Sequence, residues 1–305
     1  GELASLGLDH ATLKRNNPSI IITSVSDFGQ TGPYSQFKGG ELILDALGGW
    51  SYITGYPDRE PLKPALFQAQ YAAGLNAAIH TAAAINVRQA TGSGRTIDVS
   101  VLETAVHFVG SSIAQYGHTG GIQVRAGSWT GLMKGSSSPR SHPTEIYECK
   151  DGYIGVAVQT EGQWDMFAVL MNIPELKEDP RFATDYAGRG QHAVEMNRLV
   201  APWFLERTRR EIFDLFGEYR IPCGMVYATG EILEDPQHEA VGFFTELEGP
   251  DGQTLPYPGP PFNGADFPWR MGRAPRLGEH NSDVYTGLLG FSKEETARLN
   301  NKGVI

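Results

Sequence analysis

Residues 66–99 read LFQAQYAAGLNAAIHTAAAINVRQATGSGRTIDV, from Leu66 to Val99. Alanine is the strongest helix former and recurs from Ala69 to Ala90, so the stretch predicts one long helix over Leu66–Ala90. Its apolar residues fall on several faces, the pattern of a helix buried inside a domain. Thr91-Gly92-Ser93-Gly94-Arg95 then makes a tight turn, and Thr96–Val99 reads as a strand. Upstream, Ser19-Ile20-Ile21-Ile22-Thr23-Ser24-Val25 follows Asn17-Pro18 and reads as a buried parallel strand. Strand, helix and strand in that order predict a layered α/β domain.

Working outward, Leu3–Leu13 reads as a helix and Asp27–Gly40 as a loop punctuated by Gly, Pro and Ser. Glu41–Leu47 reads as a helix closed by Gly48-Gly49, and another helix starts near Leu102. From Gly117 to Ser141 periodicity disappears and glycine, serine and threonine dominate, as in a linker or a mobile loop. Glu145–Cys149 and Tyr153–Val158 form a hairpin about Asp151-Gly152. Helices follow at Glu161–Met171, His192–Glu206 and Arg209–Tyr219, and Ile221–Val226 enters a further strand. The tail carries a strand-turn-strand signal at Asp251-Gly252, a proline-rich crossing at Pro256–Pro261, and a capping box, Ser292-Lys293-Glu294-Glu295, opening a last helix. The expected division is a large domain over 1–116, a glycine-rich linker over 117–140, a small α+β domain over 141–230, and a return linker with a C-terminal helix over 231–305.

Composition excludes several classes. With 35 acidic against 25 basic residues the net charge is −10, which disfavours nucleic acid and anionic membrane surfaces as partners. No apolar run approaches the roughly 20 residues that span a bilayer. Two cysteines, Cys149 and Cys223, make no disulfide framework, and the histidines are scattered, so neither a structural metal nor a secreted scaffold is expected. A cytoplasmic enzyme is the default. The chain opens at Gly1 without methionine, close to a helix, and reads as one whose natural beginning is missing or lies on another polypeptide.

Candidate chemistry read from the residues alone is thin. Gly92-Ser93-Gly94 lacks the third glycine and the Lys-Ser/Thr of a phosphate loop and reads as a turn. Gly120-Gly121, Gly127, Gly131 and Gly135, with Arg125 and Lys134, read either as a flexible linker or as a lid over a reactive intermediate. Glu41 sits at a helix start, where the dipole alone favours a carboxylate, and Asp98 and Glu103 read as structural.

Longer strings carry a resemblance. Leu6-Gly7-Leu8-Asp9, Asn17-Pro18 and Ser24-Val25-Ser26-Asp27-Phe28-Gly29-Gln30-Thr31-Gly32-Pro33 resemble the class III CoA-transferases of the CaiB/BaiF type, commonly written NPRLIYVSISGFGQTGP. This family includes formyl-CoA transferase-like, carnitine CoA-transferase-like and 2-methylacyl-CoA racemase-like proteins. The likeness continues through Thr91–Arg95, Asp98-Val99-Ser100, Asp151-Gly152-Tyr153-Ile154, Asp235-Pro236-Gln237, Pro258-Gly259-Pro260-Pro261, Ala274–His280 and Gly303-Val304-Ile305. It runs end to end in consistent order. It implies a Rossmann-like large domain with a small α+β domain, interlocked with a second chain so that active sites lie between subunits. It also implies that about the first quarter of a usual member precedes Gly1, a part that supplies contacts to the adenine and phosphates of CoA.

The resemblance assigns site residues as well. In the transferases an aspartate at the start of the long helix attacks the acyl-CoA thioester, passes through a mixed anhydride and an aspartyl-CoA thioester, and hands CoA to the acceptor acid. The family segment resembles VPIADLLAG; here it reads Leu66-Phe67-Gln68-Ala69-Gln70-Tyr71-Ala72-Ala73-Gly74, which puts Gln70 in the aspartate's place. A neutral amide is a poor nucleophile. The racemase branch uses that aspartate with a histidine in a GHD string, which here is Gly39-Gly40-Glu41, so the second base is missing too. Lys38 matches a lysine that contacts CoA, Glu41 an acidic residue near the active site, and the 120–135 segment the active-site glycine loop. Ser5 lies where a basic CoA-contacting residue is common.

The expectation is therefore a protein of the CoA-transferase type, moving CoA between an acyl-CoA thioester and a carboxylic acid. Because Gln70 removes the nucleophile, the chain is expected to be the non-catalytic subunit of a heteromer with an aspartate-bearing homologue. Two alternatives stay open: a hydratase, dehydratase or isomerase acting on CoA esters through Glu41, and a non-enzymatic acyl-CoA-binding subunit. CoA, carried as the acyl-CoA substrate, is the only cofactor implied.

Overall fold

The turn at Thr91–Arg95 leads from the long helix into the second of two central strands in a computed structural model, which describes residues 2–128, 132–134, 139, 141–249, 251–262, 264, 266 and 270–305. Strand β1 (Ile22–Ser26) pairs in parallel with β2 (Thr96–Ser100), in a register running from Ile22 opposite Thr96 to Ser26 opposite Ser100. Parallel neighbours need a long crossover, and here it contains the Gln68–Thr91 helix, which packs on both strands. Gly92 ends that helix in the left-handed region (φ 71°), its N–H reaching Arg88 O at 2.8 Å. Gly94 then crosses the approach to β1: its N–H donates to Pro18 O at 3.0 Å, and a Cβ there would sit 1.8 Å from Ile20 O. The helix-to-strand turn thus passes against the segment entering β1, with no room for a side chain at Gly94.

Ala69 and Ala73 join Leu44, Val99, Val101 and Ala105 in one apolar core. The expectation that the long helix is buried on several faces does not hold. Its small alanines bring it close to the sheet, while Tyr71, Leu75 and Ile79, four residues apart, form an outward stripe 57–66% exposed. The first helix is also broken, into Glu2–Ser5 and His10–Asn16, because Gly7 turns left-handed (φ 69°) and Asp9 caps the second piece through Thr12 N–H at 2.9 Å.

Beyond β2, the helices Val101–His107 and Gly110–Thr119 lead into the glycine-rich segment. That segment is more regular than its composition indicates: the second helix enters it, and β3 (Gln123–Val124) pairs antiparallel with β4 (Leu132–Met133). An antiparallel sheet follows, β5 (Thr144–Cys149), β6 (Gly152–Ala157) and β7 (Cys223–Met225), in that order. Helices Glu161–Met171, Ala193–Leu205 and Arg209–Glu218 contribute Trp164, Phe167, Met196, Phe204, Ile212 and Phe216 to a second core with Tyr147, Ile154 and Val156 from the strands.

This second core encloses a polar chain. His142, fully buried, lies 3.3 Å from the Tyr147 hydroxyl, which donates to Asn197 Oδ1 at 3.2 Å. Asn197 Nδ2 donates in turn to Glu145 Oε2 at 2.6 Å. Burial pushes the imidazole down from 6.5 to about 4, outweighing the raising effect of a hydrogen bond with the Asn197 side chain. A histidine held neutral in the fold takes up a proton more readily unfolded. Stability is therefore expected to be full above about pH 6.5 and to fall as pH drops toward about 4, by at most about 1.4 kcal/mol per pH unit from this group. Denaturant titrations across that window should show a shallower loss for His142→Gln than for the parent; equal slopes would exclude His142 as the source.

Residues 1–226 form one compact unit and 227–305 a second. The second holds short helices Thr229–Leu233 and Pro236–Ala240, and a hairpin of β8 (Phe244–Glu248) and β9 (Thr254–Pro258) about the Asp251-Gly252 turn. A π-helical segment, Ser282–Leu288, was not legible in the pattern. The closing helix, Lys293–Asn301, has its Ser292/Glu295 capping box formed in both directions.

Candidate functional site

Parallel strands present their chemistry where they end. After β1, the loop from Asp27 to Gly40 is tied back at both sides: Gly39 N–H donates to Asp27 Oδ2 at 3.1 Å and Gln30 N–H to Asp98 Oδ2 at 2.9 Å. Phe28, Tyr34 and Phe37 pack edge-on and tilted within it, at centroid separations of 5.2–6.4 Å. Lys38 follows, exposed and without a hydrogen bond or ion pair to any described residue.

The Glu41–Leu47 helix starts where expected, with Glu41 as its first residue. Glu41 does not reach solvent: it is 5% exposed, and Oε1 accepts the Ala69 N–H at 2.9 Å. One of the free amides opening the Gln68–Thr91 helix is thereby satisfied by a carboxylate 28 residues away. Gln70 is the next residue. It is exposed in the first turn of that helix and makes no side-chain hydrogen bond to a described residue. Glu41 and Gln70, each placed at the active site by the resemblance, thus both lie at one helix N-terminus. Lys38 is linked to them through the three-residue step to Glu41.

Two residues escaped the sequence reading. Asp45, one turn beyond Glu41, is completely buried, and neither carboxyl oxygen has a hydrogen-bond partner among the described residues. Burial first, and the Glu41 carboxylate second, push its pKa above the ordinary carboxylate range; Lys63 opposes them. Lys63 Nζ donates to Pro64 O at 2.9 Å and to Leu66 O, at the approach to the long helix. The available signal was an aspartate on the same face of Glu-Leu-Ile-Leu-Asp-Ala-Leu as Glu41.

The glycine-rich segment docks on the stretch after the Trp50–Ile53 helix. Arg125 donates to Tyr56 O and Tyr52 O, each at 3.2 Å, and Gly127 N–H to Gly55 O at 2.9 Å. Gly131, Gly135 and Arg140 lie outside the described residues. Neither cysteine belongs to the site: burial pushes both thiols up to about 11. A cleft of about 200 Å³, lined by Asn76, His80, Asp98, Ser100, Glu103 and His107 among others, runs beside β2 and includes none of Lys38, Glu41 or Gln70. Among the described residues no group of three metal-ligating side chains comes together, and no helix is long and apolar enough to cross a membrane.

The sequence model of CoA-transferase family III matches residues 1–281. The chain is 33% identical to a succinyl-CoA–D-citramalate CoA-transferase of Chloroflexus aurantiacus, covering 100% of this chain and 74% of that protein. It is 28% identical to subunit BbsE of a succinyl-CoA:(R)-benzylsuccinate CoA-transferase of Thauera aromatica, covering 98% of this chain and 73% of that one. A CAIB/BAIF family protein from Brucella suis superposes with a TM-score of 0.78 at 28% identity, over 94% of this chain and 73% of the other. The α/β fold is thus that of a solved CAIB/BAIF family protein, and this chain belongs to CoA-transferase family III.

Proposed function

We propose that this chain binds acyl-CoA thioesters and serves as the supporting subunit of a heteromeric CoA-transferase, whose aspartate-bearing subunit supplies the nucleophile. The observation that carries the reading is Gln70, exposed at the first turn of the Gln68–Thr91 helix beside Glu41. An amide there cannot form the anhydride through which CoA is passed from acyl donor to acid. The similarity to a relative described as a transferase subunit supports the heteromer. Lys38, exposed and without a protein partner among the described residues, suits a charged contact to CoA. Glu41 as an independent acid/base has less support, since one oxygen is engaged by Ala69 N–H and solvent is excluded. Separate apolar cores on either side of the glycine-rich segment support reading 1–116 and 141–230 as distinct domains.

The test is CoA exchange by the isolated protein and by the protein mixed with an aspartate-bearing homologue, with chemical trapping of an enzyme-bound thioester. Exchange only in the mixture supports the reading; robust exchange by the isolated chain overturns it. Lys38→Ala is expected to weaken acetyl-CoA binding about tenfold, the loss of one charge-assisted contact of about 1.4 kcal/mol. Calorimetric titration showing unchanged affinity would remove Lys38 from the site.

A further inference from the structure

The Glu41–Leu47 helix carries two carboxyl groups into the apolar core within one turn. Asp45 has no solvent exposure and no donor at either oxygen among the described residues. Glu41 is 5% exposed; Oε1 takes the Ala69 N–H, and Oε2 is buried without a partner among the described residues. Residues four apart on a helix share a face, with Cβ atoms about 5–6 Å apart. Two ionised carboxylates so placed repel each other in surroundings that solvate neither. One proton between them cancels one charge and gives an orphaned oxygen of each residue a partner. Lys63 is the cation facing the pair, and its ammonium is already drawn to the carbonyls of Pro64 and Leu66.

We propose that Asp45 is protonated at neutral pH and donates its O–H to Glu41 Oε2, holding Glu41 against the Ala69 N–H at the start of the helix that bears Gln70. Asp45 is a positioning residue in this account: it acts on the site through Glu41. Burial and the neighbouring carboxylate raise its proton affinity, in agreement with the geometry. Its importance for acyl-CoA chemistry rests on Glu41 belonging to the acyl-CoA site, whereas the location of the proton does not.

The experiment is carboxyl ¹³C NMR of the full chain, labelled at Asp and Glu and titrated from about pH 4 to about pH 8. The Asp45 resonance, assigned by its loss in Asp45→Asn, is expected to keep the chemical shift of a neutral acid at neutral pH. Asp45→Asn retains an N–H donor of the same shape and is expected to leave the Glu41 carboxyl chemical shift at neutral pH in place. Asp45→Leu removes the donor and should move that chemical shift. An Asp45 carbon that ionises in the ordinary carboxylate range overturns the proposal, as does an Asn variant that shifts Glu41 as far as Leu does. Should the Leu variant fail to fold, the parent spectrum decides. Acetyl-CoA titration of the same samples separates the two readings: a neutral Asp45 in a protein that binds no acetyl-CoA leaves the carboxyl pair standing and removes the acyl-CoA assignment.

Discussion

Gln70→Asp is expected to confer CoA exchange on the isolated chain, raising the rate over the parent by about a hundredfold or more, roughly 3 kcal/mol off the barrier. The reason is local. Position 70 lies in the first turn of the Gln68–Thr91 helix, where free amides and the helix dipole favour a carboxylate. The same field keeps the new carboxylate ionised at neutral pH, as a nucleophile must be. It should also add about 0.3–1 kcal/mol of stability. Burial poses no obstacle, since the side chain at 70 is already exposed. The Glu41 carboxylate opposes the second charge, but one of its oxygens is held by the Ala69 N–H. Exchange between acyl-CoA and a carboxylic acid, with trapping of the aspartyl-CoA thioester, measures the gain. A stable variant that binds acetyl-CoA yet forms no trapped thioester would show that position 70 is not placed for attack.

Gly94→Ala is expected to be the most damaging single-methyl change in the first unit, costing about 3 kcal/mol or more. A Cβ at 94 would fall 1.8 Å from Ile20 O, with main-chain atoms of Ser19 and Ile20 close behind, so no side-chain rotation relieves it. Relief requires moving the Pro18–Gly94 hydrogen bond and, with it, the start of the β1–β2 register at Ile22 and Thr96. Gly92 provides the comparison two residues away. It is left-handed but has open space around its Cβ position, so Gly92→Ala should cost only about 1 kcal/mol. Denaturant midpoints of the two variants measure the difference; equal midpoints would mean that the crossing is looser than drawn.

Local structure was legible where chemistry and outcome lie within one turn of chain. Glu41–Leu47 and Glu161–Met171 begin and end where the residue pattern put them, the second with Thr160 and Gln163 exchanging hydrogen bonds across its N-terminus. Asp151-Gly152 set the β5–β6 hairpin, whose register then runs from Cys149 opposite Gly152 outward. Composition misled in two places. Gly120–Gly135 looked structureless but contains a short antiparallel pairing, because two-residue strands leave no periodicity to read. The long helix looked buried all round, yet its contacts are made by alanines while Tyr71, Leu75 and Ile79 face outward.

For the candidate site the division follows sequence separation. Motif order alone pointed to the family, and the candidate roles of Gln70, Lys38 and Glu41 came from the strings in which they sit. That Glu41 is buried, that it caps a helix 28 residues on, and that Asp45 lies unpartnered beside it were decided by tertiary packing. The physical reason is that charge state depends on solvent and neighbours. A carboxylate in a helix of seven residues carries no mark of whether the opposite face meets water or the start of another helix. Sequence carried the family motifs and set glutamine at position 70; only the folded chain decided that Glu41 and Asp45, neighbours on one helix face, are both shut off from water, the burial on which the proposed shared proton rests.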